Sequence, residues 1–136
     1  MPRKCCKPSS LISNILASYA SPFTQDNRIV TLRFGRNCSI APDTLLAQRV
    51  VGRESLNATY AVSVEAFNAD AFLEQKSILG QAAALSIRTA DDGFRLITGI
   101  VTGTYSGGSA GGMARYVLRV EPLIAVLSQR TNSRSF

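Results

Sequence analysis

The sequence predicts a mainly β fold, a small antiparallel β-barrel of about six strands with one to three short helices. From Asn27 onward, apolar residues recur at every second position, which is the period of a half-buried strand. Short turn-forming stretches separate these runs, so the connections are mostly local and antiparallel pairing is favoured over βαβ units. A small barrel or a sandwich would fit these strands, and a barrel is favoured because closure hides the strand edges that are otherwise exposed.

Two regions differ in character, and we predict a basic, loose N-terminal segment (1–26) followed by a barrel domain (27–136). The segment contains a stretch predicted as a short amphipathic helix, which Ser9 or Ser10 can cap and Pro22 ends. A secretory signal is the alternative, although polar residues interrupt its apolar stretch. We expect the helix to pack on the domain or to lie loose at its edge. Its apolar face comprises Leu11, Ile12, Ile15, Leu16 and Tyr19.

Alternation predicts the first three strands. Val30, Leu32 and Phe34 share one face of the first strand, and the second is expected from Leu45 to Val51, ahead of Gly52–Ser55. In the third strand, successive side chains are expected to point to opposite faces of the sheet. The residues that share the apolar face are Tyr60, Val62 and Val64.

The next stretch predicts a helix, a strand and a hairpin. Asp70 is expected to cap a short helix that runs through Ile78, with Gly80 closing it in the left-handed conformation. The fourth strand is expected from Ala84 to Ala90. Asp91-Asp92-Gly93 then provides hairpin chemistry, because Asp-Gly readily adopts positive φ.

Two further strands and a last helix complete the prediction. The fifth strand, Phe94 to Tyr105, is expected to bend or bulge at Gly99 and Gly103. After a glycine-rich hairpin, the sixth strand turns Tyr116, Leu118 and Val120 inward, and Pro122 suits the first position of a helix. Helical residues that could form a partner-binding surface or simply close the core are Leu73, Ile78, Leu79, Leu123, Ile124, Val126 and Leu127.

Composition weighs against an enzyme and against a stable membrane insertion. Histidine is absent, which removes the commonest general base and metal ligand. Cys5, Cys6 and Cys38 form no C-x-x-C pair, so neither a disulfide framework nor a zinc site is predicted. No apolar run is long enough to span a bilayer. We therefore predict no catalytic, cofactor-binding or metal-binding residues, and no cofactor.

Two motifs suggest chemistry and are better explained as turns. Residues 107–111 match G-x-S-x-G, but the nucleophile elbow needs a strand-to-helix turn and a histidine, whereas here a strand follows Ser109. Asp91 and Asp92 resemble paired carboxylates, yet adjacent strand residues point apart. We expect both segments to serve as hairpin turns.

The net charge of +6 raises the alternative of a basic β-barrel that binds single-stranded nucleic acid. No RNA-module or helix-turn-helix signature accompanies the charge, and the aromatic residues are not clustered on one strand, so specific nucleic-acid binding is not expected. Dispersed arginines are more typical of the solvent face of alternating strands. Those expected there are Arg28, Arg33, Arg88, Arg95, Arg115 and Arg119.

A series of short phrases resembles the VgrG family of type VI secretion spike proteins, which are similar to the hub of contractile phage tails. The similarity extends over about Phe23 to Phe136 and departs from the family at Thr98, where histidine is frequent, and at Leu123, where tryptophan is common. The phrases that carry it are Phe23–Arg28, Gly52–Glu54, Leu79–Gln81, Gly99–Val101, Gly107–Gly112, Ala114–Tyr116 and Glu121–Leu123.

This resemblance implies a structural, non-enzymatic function. Family members have two tube-type barrels in each chain, and three chains form a six-barrel ring that seats on a hexameric tail tube. The chain would be the first barrel, which joins a trimeric spike to that tube, either as a fragment or as a separate tube-like module. Implied partners are the homotrimer, the tube protein and the baseplate, while this chain alone would be a monomer or weak oligomer. Assembly would occur in the bacterial cytoplasm, and the intact spike would be secreted or delivered to a target cell.

Overall fold

A computed structural model of the chain describes residues 24–36, 38–128 and 131. The predicted N-terminal helix, Cys5 and Cys6 lie outside these residues. The described part is mainly β with two short helices, which confirms the predicted fold class. Its elements in order are β1 (Val30–Phe34), β2 (Leu46–Ser55), β3 (Ala58–Asn68), α1 (Gln75–Ile78), β4 (Ala82–Arg88), β5 (Phe94–Ala110), β6 (Met113–Glu121) and α2 (Leu123–Leu127).

All six strands belong to one antiparallel sheet in the order β1-β4-β5-β6-β3-β2. Hairpins join β2 to β3, β4 to β5 and β5 to β6, as the short connections predict. The sheet curls until its two edges, β1 and β2, come into contact. Within the described residues no backbone ladder joins these edges, so the sheet forms a half-barrel whose last gap is crossed by side chains.

The concave face of the sheet holds the core. Apolar side chains at alternate strand positions are buried here, and α1 adds Ile78 from one end. The predicted inward residues of β6 are confirmed, since Tyr116, Leu118 and Val120 are each at most 1% exposed. The Tyr116 hydroxyl donates to the carbonyl oxygen of Ala71 at 3.0 Å, which satisfies the polar end of this buried ring. Other core residues include Leu32, Leu45, Val62, Val64, Leu85 and Val101.

Strand β5 curls the sheet because it pairs with two neighbours in succession. Its first half pairs with β4 and its second half with β6, and Ile100 contributes to both registers. A bulge lies between Val101 and Gly103, as predicted. Gly99 has a different role, since its pairing with Ala83 is regular, but a Cβ there would collide with the carbonyl oxygen of Glu121. Gly99 is therefore required by close approach of the backbones.

The bulge is tied to the end of β6 by a carboxylate. Thr102 donates its hydroxyl to Glu121 at 2.6 Å, and Arg119 reaches the other carboxylate oxygen at 2.8 Å. The Thr102 hydrogen bond is the main cause that lowers the pKa of Glu121, with a further contribution from Arg119, and partial burial opposes both. The charged form of Glu121 therefore stabilises the folded state.

A buried glutamine closes part of the gap beside β1. The Gln25 side chain donates to the carbonyl oxygen of Leu32 at 3.0 Å and accepts from the backbone N–H of Leu32 at 2.6 Å. It thus takes the place of a neighbouring strand on this edge. Arg28 extends the closure by donating to the Ala47 carbonyl of β2 at 3.2 Å.

The strand boundaries differ from the prediction mainly in length. Strand β2 continues through Gly52–Ser55, because this stretch pairs with β3 although both of its faces are exposed. Strand β5 extends to Ala110, and the hairpin tip is the pair Gly111-Gly112, both with positive φ. The Asp91-Asp92-Gly93 hairpin is confirmed, with Asp92 at φ 58°.

The first described helix is shorter than predicted, and the prediction that Asp70 caps it is wrong. Asn68 accepts from the N–H of Asp70 at 3.0 Å, and Asp70 accepts from the N–H of Phe72 at 2.9 Å. Two successive turns of this kind satisfy the backbone locally and compete with helix formation. The helix begins only at Gln75, while Gly80 has the predicted positive φ of 77°.

We expect Gly99→Ala to destabilise the fold by about 1–3 kcal/mol, because the added methyl group must push β6 away from β5. Gly103→Ala is the matched control, since a Cβ there meets its nearest atom at an ordinary 3.6 Å. Urea unfolding should show the control to be neutral or slightly stabilising. Equal losses for the two variants would contradict the proposed close approach.

We expect Gln25→Ala to lower the free energy of unfolding by about 2–3 kcal/mol, because both backbone groups of Leu32 lose their partner in a buried setting. Gln48→Ala, at an exposed position of β2, should change it by no more than about 0.5 kcal/mol. Denaturant unfolding of both variants measures the difference. A Gln25→Ala protein as stable as the control would disprove the role of this glutamine.

We expect Glu121→Gln to reduce stability by about 1 kcal/mol at pH 7. Because the folded-state pKa of Glu121 is lowered, its contribution is present above the unfolded-state pKa of about 4.3 and is lost as pH falls through the folded-state value. The difference from the natural protein should therefore shrink below about pH 4. Thr102→Val should raise the pKa of Glu121 in an NMR titration, and an unmoved pKa would exclude the hydroxyl as the main cause.

Candidate interaction surface

The convex face of β2, β3, β6 and the second half of β5 is the broadest candidate surface, which we call the outer wall. Its side chains alternate with the core residues along each strand and form rows across the sheet. One row runs from Arg49 through Glu65 and Val117 to Tyr105. The next row contains Val51, Ser63 and Arg119. Arg53, Ala61 and Arg115 complete the outer wall.

Positive charge dominates the outer wall. It carries four arginines against Glu65, with Glu121 at its rim. The Arg115 guanidinium lies 3.8 Å from Glu65, and both side chains are partly exposed, so at this distance the ion pair contributes little to stability. Arg119 is oriented by Glu121, while Arg49 and Arg53 extend into solvent from β2. Such a face suits an acidic partner surface.

Apolar side chains lie among these charges. Val51 is 54% exposed and Tyr105 is 61% exposed, while Val117 between them is half-buried. Tyr105, Arg119 and Glu121 line an open groove together with Ile124 of α2. The outer wall therefore offers apolar contact area inside a charged frame, which is the composition of a protein-binding surface.

The helical residues considered as a partner surface divide into two groups. Ile78 is fully buried, and Leu73 packs against the core, so these two close the end of the half-barrel. In α2, by contrast, no residue is buried. Its exposed apolar side chains are Leu123, Ile124 and Leu127, each exposed by 61% or more.

Five of the six arginines predicted on the solvent face of strands lie in strands, but the prediction is wrong for Arg28, which precedes β1, is half-buried and donates to the Ala47 carbonyl oxygen. One of the five differs in direction. Arg33, Arg88 and Arg119 lie exposed on the convex side. Arg95 is exposed as well, but it pairs opposite Ile87 on the concave face. There it meets Glu54 of β2 at 2.6 Å, so the two side chains bridge the mouth of the half-barrel. Alternation along the sequence does not show that Arg95 lies on the concave face, because its side chain is beyond the end of the buried core.

The two motifs with possible chemistry lie in hairpins. Ser109 is exposed in β5 opposite Ala114, and a strand follows the turn. Asp91 is exposed, and its pKa is lowered chiefly by a hydrogen bond from the Thr89 side chain, which favours the carboxylate and not a proton donor. Among the described residues, no group of three or more His, Cys, Asp or Glu side chains could hold a metal ion. None of their helices is long and apolar enough to cross a bilayer.

Known proteins resemble this chain in sequence. The type VI secretion system spike protein VgrG1c of Pseudomonas aeruginosa is 26% identical over 114 residues, which is 84% of this chain and 15% of that protein. VgrG1b and VgrG1a of the same organism are each 28% identical, over 71% and 74% of this chain and 13% and 16% of their own lengths. The chain thus spans about one sixth or less of the spike proteins that it matches.

A solved structure and a protein family also match this chain. The E. coli c3393 protein, a component of the type VI secretion system with structural similarity to the T4 bacteriophage tail proteins gp27 and gp5, matches with a TM-score of 0.61. It is 26% identical, and the match covers 74% of this chain and 26% of that chain. Residues 53–136 match the phage tail baseplate hub (GPD) family. The chain therefore belongs to this family and is VgrG-like in sequence and fold.

Proposed function

We propose that the chain is the first barrel of a type VI secretion spike, which joins a trimeric spike to a hexameric tube. Its function is structural, and the outer wall supports this proposal best. Four strands there present arginines and exposed apolar side chains on one continuous sheet face. A surface of this kind suits contact between neighbouring subunits, and the related proteins are type VI secretion spike proteins and a component of that system which resembles phage tail proteins.

The half-barrel holds the side chains of the outer wall in fixed positions for such a contact. Each outer-wall side chain is held by a strand whose other face is packed in the core, so the rows keep a fixed spacing. Tyr105 and Val51 supply the area that a partner can cover, and the arginines favour an acidic neighbour. The part of the β2 edge that the shorter β1 does not cover can add backbone pairing to these side-chain contacts.

We expect the isolated chain to be a monomer or weak oligomer at micromolar concentration. The apolar residues of the outer wall are few, and like-charged arginines would face one another if two copies met through it. Tube protein and baseplate are the proposed partners, with assembly in the bacterial cytoplasm and delivery within an intact spike. Multi-angle light scattering measures the state, and a stable trimer would contradict this expectation.

The tube contact can be tested with purified hexameric tube protein from the same secretion system. We expect a double variant, Val51→Asp with Tyr105→Asp, to weaken binding at least tenfold in biolayer interferometry. The two new carboxylates would replace apolar side chains that the tube protein covers. Leu56→Asp is the matched control, since Leu56 is fully exposed in the β2–β3 turn outside the outer wall.

Circular dichroism should show that all three substituted positions leave the fold intact, as each side chain is more than half exposed. The control is expected to bind like the natural chain. If the natural chain does not bind the tube protein, or if the double variant binds equally well, the proposed contact through the outer wall is wrong.

A further inference from the structure

One arginine of the outer wall is held in a fixed position by its neighbours. The Arg119 guanidinium donates from Nε and from Nη2 to one carboxylate oxygen of Glu121, at 3.0 and 2.8 Å. The other oxygen of that carboxylate accepts from the Thr102 hydroxyl at 2.6 Å. Arg119 thus differs from Arg49 and Arg53, whose side chains extend into solvent from β2.

The two charges of the Arg119–Glu121 pair differ in their access to solvent. The Arg119 side chain is 52% exposed, whereas the Glu121 side chain is 15% exposed. A partner that covers this part of the outer wall therefore meets chiefly the cation. A guanidinium has more N–H donors than the two that Glu121 engages, and the remaining donors need acceptors once a partner displaces water.

Apolar side chains lie beside this guanidinium. Arg119 lines the open groove of the outer wall together with Tyr105 and Ile124, which are each 61% exposed. A Cβ added at Gly103 would lie 3.6 Å from the Arg119 Cβ and 3.7 Å from the Tyr105 hydroxyl, so both side chains pack close to this glycine. The groove therefore offers a cation between apolar neighbours.

The charge and the shape of the groove indicate what it binds. The planar guanidinium fork matches the two oxygens of a carboxylate. The surrounding outer wall is positive as well, which favours an acidic group over a basic one. Apolar side chains on both sides suit a protein surface, in which a carboxylate lies among apolar residues.

We propose that the groove around Arg119 receives an Asp or Glu side chain of the tube protein, and that Glu121 and Thr102 are positioning residues which hold the guanidinium ready for it. An arginine that is already held loses less rotamer freedom on binding than a mobile one. This inference rests on the tube contact proposed above and identifies the chemical group that the contact recognises.

Two glutamate substitutions separate positioning from charge. Glu121→Ala removes a negative charge beside Arg119, so charge alone would strengthen the binding of an acidic partner. Positioning has the opposite effect, and we expect binding to purified hexameric tube protein to weaken about threefold or more in biolayer interferometry. Glu65→Ala is the matched control, because it removes a negative charge of the outer wall that lies beside Arg115 instead. It should bind as tightly as the natural chain or more tightly.

Conservative variants test each member of the arrangement. Thr102→Val removes the hydroxyl that holds Glu121 and should weaken binding about twofold or more, while Thr102→Ser keeps the hydroxyl and should restore it. Arg119→Lys keeps the charge but loses the planar fork, and we expect binding to weaken about fivefold or more. Arg88→Lys should leave binding unchanged, since Arg88 is exposed outside the outer wall. Circular dichroism verifies that each variant is folded.

Substitutions in the tube protein identify the carboxylate. Its exposed Asp and Glu residues are replaced one at a time by Asn or Gln, and one replacement should weaken binding of the natural chain but not of Arg119→Ala. The absence of such a residue, or equal binding of Glu121→Ala and Glu65→Ala, would overturn this inference alone if Val51→Asp with Tyr105→Asp still weakens binding. A natural chain that does not bind the tube protein would overturn the tube contact as well.

Discussion

Strand β5 is the constraint on which the fold depends. It pairs with β4 through its first half and with β6 through its second, so the whole sheet must change direction along this one strand. The change needs a residue without a side chain at Gly99, where the Glu121 backbone comes too close for a Cβ. It also needs the bulge at Thr102, which Glu121 holds by a hydrogen bond. The concave core and the convex outer wall both follow from this curl.

Much of the fold could be predicted because burial imposes a two-residue period on the strands. This period identified β1 and the inward face of β6, while the Asp-Gly dipeptide identified the hairpin at Asp92. It could not show that β2 continues to Ser55, since both faces of that stretch are exposed and carry no alternation. The helix boundary at Gln75 was also hidden, because side chains of Asn68 and Asp70 satisfy the backbone that a helix would use.

The candidate surface was only partly visible in the sequence. The outward positions of Arg115 and Arg119 follow from alternation within one strand. That Tyr105 stands in the same row as Glu65 depends on which strands are neighbours, and β3 and β6 are far apart in the chain. The same limit applies to Gln25, whose role as a substitute strand exists only once Leu32 lies on a sheet edge. Long-range pairing therefore determines the surface more than local pattern does.

Because of the gap between β1 and β2, the half-barrel does not resist force equally in all directions. A thrust parallel to the strands loads many ladder hydrogen bonds together in shear, and they resist as a group. Among the described residues, a sideways force meets a few side-chain contacts, such as those of Gln25, Arg28 and the Arg95–Glu54 pair, which can yield one at a time. The half-barrel is thus held more strongly along its strands than across the gap, so its girth can change more easily than its length.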